Sequence, residues 1–437
     1  MTDPDAHLAD RLLGPIGTRA RLTEPVRVGL GYAVLAALPV IAGLGRIQYC
    51  LSHGWVGTDP MARMCYSDMA NAVATTSLMS GPLAYLRGEV PLDQPILSGL
   101  LMSTIGGLTG GGDVLDAQRG FMATWAVLAV LALALMVWLV TRTPRHPSAR
   151  PLALALSPVA ALTVFLAPDL LGVTLCTVGV WCWLRGRPGI AGAALGAAFM
   201  ARTYPLLAVL LLVLIAVRQG DRPALGRLLQ GFAAAVAGSL LLAVMSPDIA
   251  IQAWRSWFGA STNLGSPWHI ATMAGVAVPP LVATALAVLG WIVAGLLGAA
   301  LILGVRNPPP AFAILLVVVA VVLVTGKSFP LQASLWLVPL VALAGLAWRD
   351  ILWWWAAEAA HFVALWLYVG GLQDNPERGL PAGWYAVFLV LRLLAICWLA
   401  WAVWSRAVAG SRAPRLRHPG RAPAPEAAAL PVHVVPD

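Results

Sequence analysis

The sequence predicts an all-α polytopic membrane protein, and three observations carry that expectation. Of 437 residues, 59% are hydrophobic and only 11% are charged, against about 25% charged residues in soluble domains. Long apolar runs recur along the chain, several of them close to the length a bilayer-crossing helix requires. The charges collect in the connections between those runs. A surface this apolar has no stable arrangement in water, so the solvent is a bilayer. The formal charge of +9 then reads as positive cytoplasmic loops rather than as a nucleic-acid surface, and no nucleic-acid partner is expected.

About 12 transmembrane helices are predicted, near 28–46, 119–141, 151–167, 170–184, 188–201, 204–217, 228–246, 280–304, 310–325, 331–347, 351–371 and 384–404. A full crossing takes about 20 residues at 1.5 Å rise each. The runs between 151 and 217 are shorter than that and read as broken or partly embedded helices. Residues 1–27 form a mixed-charge segment with no apolar signal core, which predicts an uncleaved first span. Residues 406–437 are rich in Pro, Ala and Arg and are expected to be disordered. The span-bearing domain is 28–405.

Arginine fixes the predicted orientation. With the N-terminus inside, Arg142, Arg150, Arg185, Arg187, Arg218, Arg222, Arg227, Arg306, Arg349 and Arg406 fall on the cytoplasmic side. The outer side keeps few, among them Arg46, Arg63, Arg202 and Lys327. The positive-inside rule favours this arrangement, with both termini cytoplasmic in the plasma membrane. Two long segments, about 47–118 and 246–279, then lie outside. Their apolar patches at 95–108 and 266–276 are too short and Gly-rich to cross and are expected at the outer interface.

The same topology places many carboxylates at the outer ends of spans. Asp68 stands in "CYSD" among Met64, Cys65 and Tyr66, residues that prefer partial burial. It reads either as a solvated loop charge or as a carboxylate tuned for general-base work. Asp169 in "APDLL" reads as a helix N-cap or a site residue. Arg202 and Tyr204 stand at a break made by Pro205; Arg202 either holds a phosphate or snorkels to headgroups. Lys327 (the only lysine) and Gln332 flank a second break at Pro330. Trp268 and His269 read as interfacial anchors or site residues. Glu358 and His361, three apart in one span, share a helix face and either pair with each other or serve function. Arg392 is a further mid-span charge with no assigned role. Cys50 and Cys65 share the first outer segment, where a disulfide is expected. No zinc spacing, P-loop, dinucleotide fingerprint or nucleophile elbow occurs.

In order along the chain, "CYSD", "DQPILSGL", "APDLL", "ARTYPLL", "GSPW" and "GKSFPLQASLWLVPL" resemble the motifs of actinobacterial glycosyltransferase family 87. The resemblance implies a GT-C-like bundle whose outer loops form the site. It also implies a polyprenol-phosphate-mannose-dependent mannosyltransferase acting on a cell-envelope glycolipid, lipoglycan or polysaccharide acceptor. Under it Asp68 is the base, Arg202, Lys327 and His269 hold the donor phosphate, and Tyr66, Asp93, Asp169, Tyr204, Trp268, Gln332, Glu358 and His361 line the substrates. No cofactor or metal is implied beyond the polyprenyl-phosphate sugar itself. The chain has Asp93-Gln94-Pro95, Arg202-Thr203-Tyr204-Pro205 and Pro330-Leu331-Gln332 where the family usually has Glu-Tyr-Pro, Lys-Leu-Tyr-Pro and Ser-Pro-Gln. Three alternatives stand beside this reading: an arabinosyltransferase with a polyprenyl-phosphate donor, a transporter or flippase of lipid-linked sugars, and a non-catalytic partner in envelope assembly. Transporter sites usually lie near the midplane in repeat-related broken helices, and no repeat is evident here.

Overall fold

The computed structural model describes residues 24–143, 150–373 and 379–412. The expectations for residues 1–23 and for the tail beyond 412 lie outside the described residues. Among those described, the chain is helical with no strand. A helical segment stands at each predicted span. Five are long and apolar enough to cross a bilayer: Gly31–His53, Val114–Thr141, Arg222–Leu241, Pro280–Gly304 and Ala382–Ala409. The remaining apolar helices are shorter, 10–17 residues, so the expected 12 crossings are not reached by single long helices. Trp348–Gln373 has the length, but it carries Arg349, Asp350, Glu358, His361 and several tryptophans.

Local sequence explains where the helices start and stop. Pro151, Pro158, Pro188, Pro205 and Pro280 each open a helix, where their missing N–H removes no helical bond. The predicted span 151–167 is two short helices, Pro151–Ala155 and Pro158–Thr163, because Pro158 interrupts the ladder and the Ser157 hydroxyl caps Ala160 N. The last helix runs from Ala382 to Arg412, beyond the predicted boundary at 405.

Packing follows side-chain size. Ala311–Thr325 is apolar on every face and buried along most of its length, so protein surrounds it. Pro188–Ala201 and Arg222–Leu241 touch backbone to backbone. A Cβ on Gly192 would lie 2.0 Å from Leu228 O, and one on Gly231 would lie 2.1 Å from Gly189 O. Close approach of this kind is how helices associate where hydrocarbon supplies no hydrophobic drive.

The two ends of the bundle differ in chemistry. At one end Arg150 donates to Leu346 O, Arg406 to Gly345 O, Arg218 to Val305 O, and Trp398 to Asp350. At the other end the helix breaks at 166–169, 201–205 and 326–336 meet the two long segments. The first of these segments folds into short helices at Asp59–Ala62, Asp68–Thr75, Gly81–Leu86 and Ile96–Thr109, the second into Asp248–Gly259 and His269–Met273.

Candidate active site

The segment carrying Asp68 is tied down at every turn. Cys65 is bridged to Cys50, with 6.0 Å between their Cα atoms. The Trp55 indole donates to Cys65 O at 2.8 Å, Arg46 Nη1 donates to Met64 O, and Met64 itself sits at φ 57°. Ser67 caps the helix that Asp68 begins. The Asp68 amide donates to Leu166 O at 2.9 Å, and Gln118 Nε2 donates to Ala70 O at 2.9 Å. The carboxylate therefore sits at a fixed place beside the break that precedes Asp169.

Asp68 is half-buried, and burial raises its pKa above the usual carboxylate value. The hydrogen bond from Tyr66 and the charge of Arg202 oppose that rise, and Asp169 adds to it. Tyr66 is pushed up in turn, first by burial and then by Asp68, so its phenol stays a proton donor. Asp68 is thus not a freely solvated loop charge.

Asp169 is the first residue of its helix and caps nothing. Its carboxylate is buried, with Arg202 Nη2 at 2.8 Å on one oxygen and Trp336 Nε1 at 3.3 Å on the other. The N-cap reading gives way to a buried ion pair, because the break at 201–205 swings Arg202 onto it. The Ser98 hydroxyl fastens that break by donating to Ala201 O at 2.9 Å. Arg202 Nε is buried and has no partner. The Tyr204 ring lies 5.2 Å from that of Trp336.

The remaining predicted residues divide. Lys327 is buried, and its ammonium is engaged by Ala260 O and Thr284 Oγ1, each at 2.8 Å, and by the Trp257 ring at 4.2 Å. An ammonium has three N–H bonds, so these partners occupy it. It organises the second long segment and offers no free donor to a phosphate. Trp268 likewise anchors that segment, its indole donating to Thr325 O at 2.9 Å. Gly265 sits at φ 81° with its amide on the Tyr385 hydroxyl, and a Cβ there would fall 1.9 Å from Phe329 O. His269 is half-buried with Nδ1 unpartnered, and burial lowers its pKa. Gln332 is half-buried and Asp93 exposed.

Glu358 does not pair with His361. It accepts from Ser334 Oγ at 2.7 Å, Trp354 Nε1 at 3.1 Å and Arg392 Nε at 2.9 Å. Arg392, fully buried, also donates to Phe329 O, Pro330 O and Ser334 Oγ. The pair clamps the 329–336 turn that carries Trp336 onto Asp169. The reason is distance along the fold: Arg392 comes from the next helix with its whole fork aimed at that turn. His361 is 1% exposed with neither ring nitrogen hydrogen-bonded, beside the Tyr385 ring at 5.6 Å.

Among the described residues no group of three or more His, Cys, Asp and Glu is placed to hold a metal ion. The helix breaks thus set a raised carboxylate beside a guanidinium with a free buried donor, and the second long segment carries an unpartnered imidazole nitrogen. These are groups for taking a proton and for meeting negative charge. The family model "Glycosyltransferase family 87" matches residues 95–326. That match covers Asp169, Arg202, Tyr204, Trp268 and His269, and ends short of Asp68 on one side and of Lys327, Gln332, Glu358 and His361 on the other. No curated protein and no solved structure matches the chain.

Proposed function

The chain belongs to glycosyltransferase family 87, and from that membership we propose that it moves a sugar from a polyprenyl-phosphate donor to a glycan-bearing acceptor at the outer face of the plasma membrane. The sugar we favour is mannose. The observation that carries this reading is the pairing of Asp68, pushed up by burial, with the Asp169–Arg202 ion pair beside it.

In this reading Asp68 accepts the proton of the acceptor hydroxyl. The hydroxyl oxygen bonds to the anomeric carbon while the bond from that carbon to the phosphate oxygen breaks. The electron pair leaves with the polyprenyl phosphate, and configuration at the anomeric carbon inverts. Arg202 turns its free Nε toward the departing phosphate, with His269 as a second donor, and Asp169 and Trp336 keep the guanidinium oriented. Such donors act where charge develops. Tyr204, Gln332 and His361 surround the sugars, while Tyr66 acts through Asp68. Glu358 belongs to the clamp on the 329–336 turn.

The topology that suits this chemistry has the arginine-rich end in the cytoplasm and Asp68 outside. The test is transfer of mannose from polyprenyl-phosphate mannose by purified protein in nanodiscs. Asp68→Asn protein with wild-type turnover would remove the mechanism. A polyprenyl-phosphate arabinose donor in the same assay decides the sugar.

A further inference from the structure

The Ala311–Thr325 helix has two faces with different neighbours. Phe312, Leu315 and Val319 look toward Tyr204 and Trp336, the side of the Asp169–Arg202 pair. Val317, Ala320 and Val324 point to the opposite side of the same helix, where they floor an apolar groove of about 290 Å³. Leu297 of the Pro280–Ala299 helix makes one wall, and Cys397, Ala400 and Trp404 of the last helix make the other. Both walls belong to segments long and apolar enough to cross a bilayer. Trp401 at the rim is 60% exposed and Cys397 is exposed, so the groove opens sideways, toward hydrocarbon.

No lining side chain is charged. An apolar cavity does not draw in water, and leaving it empty costs its lining the contacts a filler would supply. Between membrane-crossing helices the filler at hand is a lipid chain. Register says which lipid. Cys397 to Trp404 lie about one to three turns past Arg392, toward the arginine-rich end. Each wall also ends in an arginine there. Arg306 is exposed and follows Leu297 by nine residues, about 13 Å at helical rise and within the ~15 Å depth of one leaflet. Arg406 follows Trp404 by two residues. Guanidinium groups at that level suit lipid phosphate.

We propose that the groove binds one acyl chain of a phospholipid from the leaflet at the arginine-rich end, with its phosphate at Arg306 and Arg406. The topology proposed above makes that leaflet the cytoplasmic one. The donor's own chain fits poorly, because a phosphate held by Arg202 lies across the Ala311–Thr325 helix from the groove. A helix of a second copy fits worse. One turn, about 10 Å across and about 5.4 Å in pitch, already exceeds the volume. The lipid buttresses the helix that leads into the 326–336 turn, and its site is independent of the role given to Asp68.

The test is native mass spectrometry of full-length protein purified in mild detergent. Wild-type protein is expected to retain one phospholipid. Ala400→Trp fills the groove and is expected to retain about a tenth as much or less, since one decade is small against the cost of a void this size. Arg306→Gln is expected to lower retention of phosphatidylglycerol about fivefold, the worth of one arginine at an anionic surface. Cys397 gives a second readout. Of the free cysteines among the described residues it is exposed, while Cys176 and Cys182 are buried. In delipidated protein, dioleoyl phosphatidylglycerol is expected to slow alkylation of Cys397 by N-ethylmaleimide, and dioleoylglycerol is not. Should Ala400→Trp fail to fold, Leu297→Trp narrows the groove from the other wall and decides. Full retention in a folded filling variant would overturn the proposal. Retention of polyprenyl phosphate in place of phospholipid, a dimer mass with no lipid, or equal slowing by dioleoylglycerol would do the same. Loss of sugar transfer in Asp68→Asn with phospholipid retention intact would leave this site standing.

Discussion

Replacing Tyr66 with phenylalanine removes one hydroxyl and tests how Asp68 is tuned. The phenol donates a hydrogen bond to the carboxylate and so favours its charged form, against burial, which raises its pKa. A hydrogen bond to a charged group is worth about 1.5–3 kcal/mol. Asp68 is only half-buried, so the lower end applies. Losing about 1.5 kcal/mol lowers the ionised fraction about tenfold on the acid side, since 1.36 kcal/mol is one decade. The base must be ionised to act, so wild-type kcat/KM is expected to rise with pH along a limb displaced above an ordinary aspartate, about 3.9. In Tyr66→Phe that limb moves further up, and the rate on the plateau above it is maintained. The assay is the pH profile of kcat/KM with a saturating lipid-linked donor. A limb that stays in place, or a loss equal at every pH, would refute the argument, because Tyr66 would then act on substrate and not through Asp68. Stability supplies a second reading. With its pKa raised in the fold, Asp68 binds its proton more tightly folded than unfolded, so its contribution is present below the unfolded pKa and is lost as pH rises through the folded one. Tyr66→Phe is expected to widen that window upward.

Asp68→Asn should lower turnover by about 10²–10⁴-fold, the usual worth of general-base assistance, with expression and thermal stability preserved. Glu358→Ala leaves Arg392 buried with no counter-charge and should destabilise the protein by about 3–5 kcal/mol; a Glu358→Leu/Arg392→Met double variant should recover much of the loss in detergent melts. Breaking the Cys50–Cys65 bridge, which spans 15 residues, should lower stability by about 3 kcal/mol. The wild-type protein should resist thiol labelling at both positions without reductant. Gly265→Ala should disturb the 263–269 loop, since its Cβ meets Phe329 O and its backbone sits at φ 81°; loss of activity at near-normal expression is the expected result.

Much of the fold was legible because hydrocarbon imposes a one-dimensional rule. Apolar runs must be helical to satisfy their backbone, so helix positions such as 188–201, 280–304 and 311–325 follow from composition alone. Proline supplied the starts at 151, 188, 205 and 280 for a similarly local reason. The cysteines of the first long segment, the carboxylate in "CYSD" and the arginine at the "ARTYPLL" break could also be singled out, because polar groups in an apolar chain stand out.

What the sequence could not assign was partnership. Asp169 looked like a cap, and it is the counter-ion of Arg202. Glu358 looked like the partner of His361 three residues away, and it belongs to Arg392, 34 residues on. The resemblance gave Lys327 to the donor phosphate, and it is held by Ala260 and Thr284. Periodicity within one helix fixes which residues share a face, but not which face of another helix they meet. A buried ion chooses its partner by three-dimensional proximity and by the penalty of being left unpaired. The chain's own chemistry therefore determined that ions would gather at the helix breaks, while packing alone determined which of them were left with an open hand.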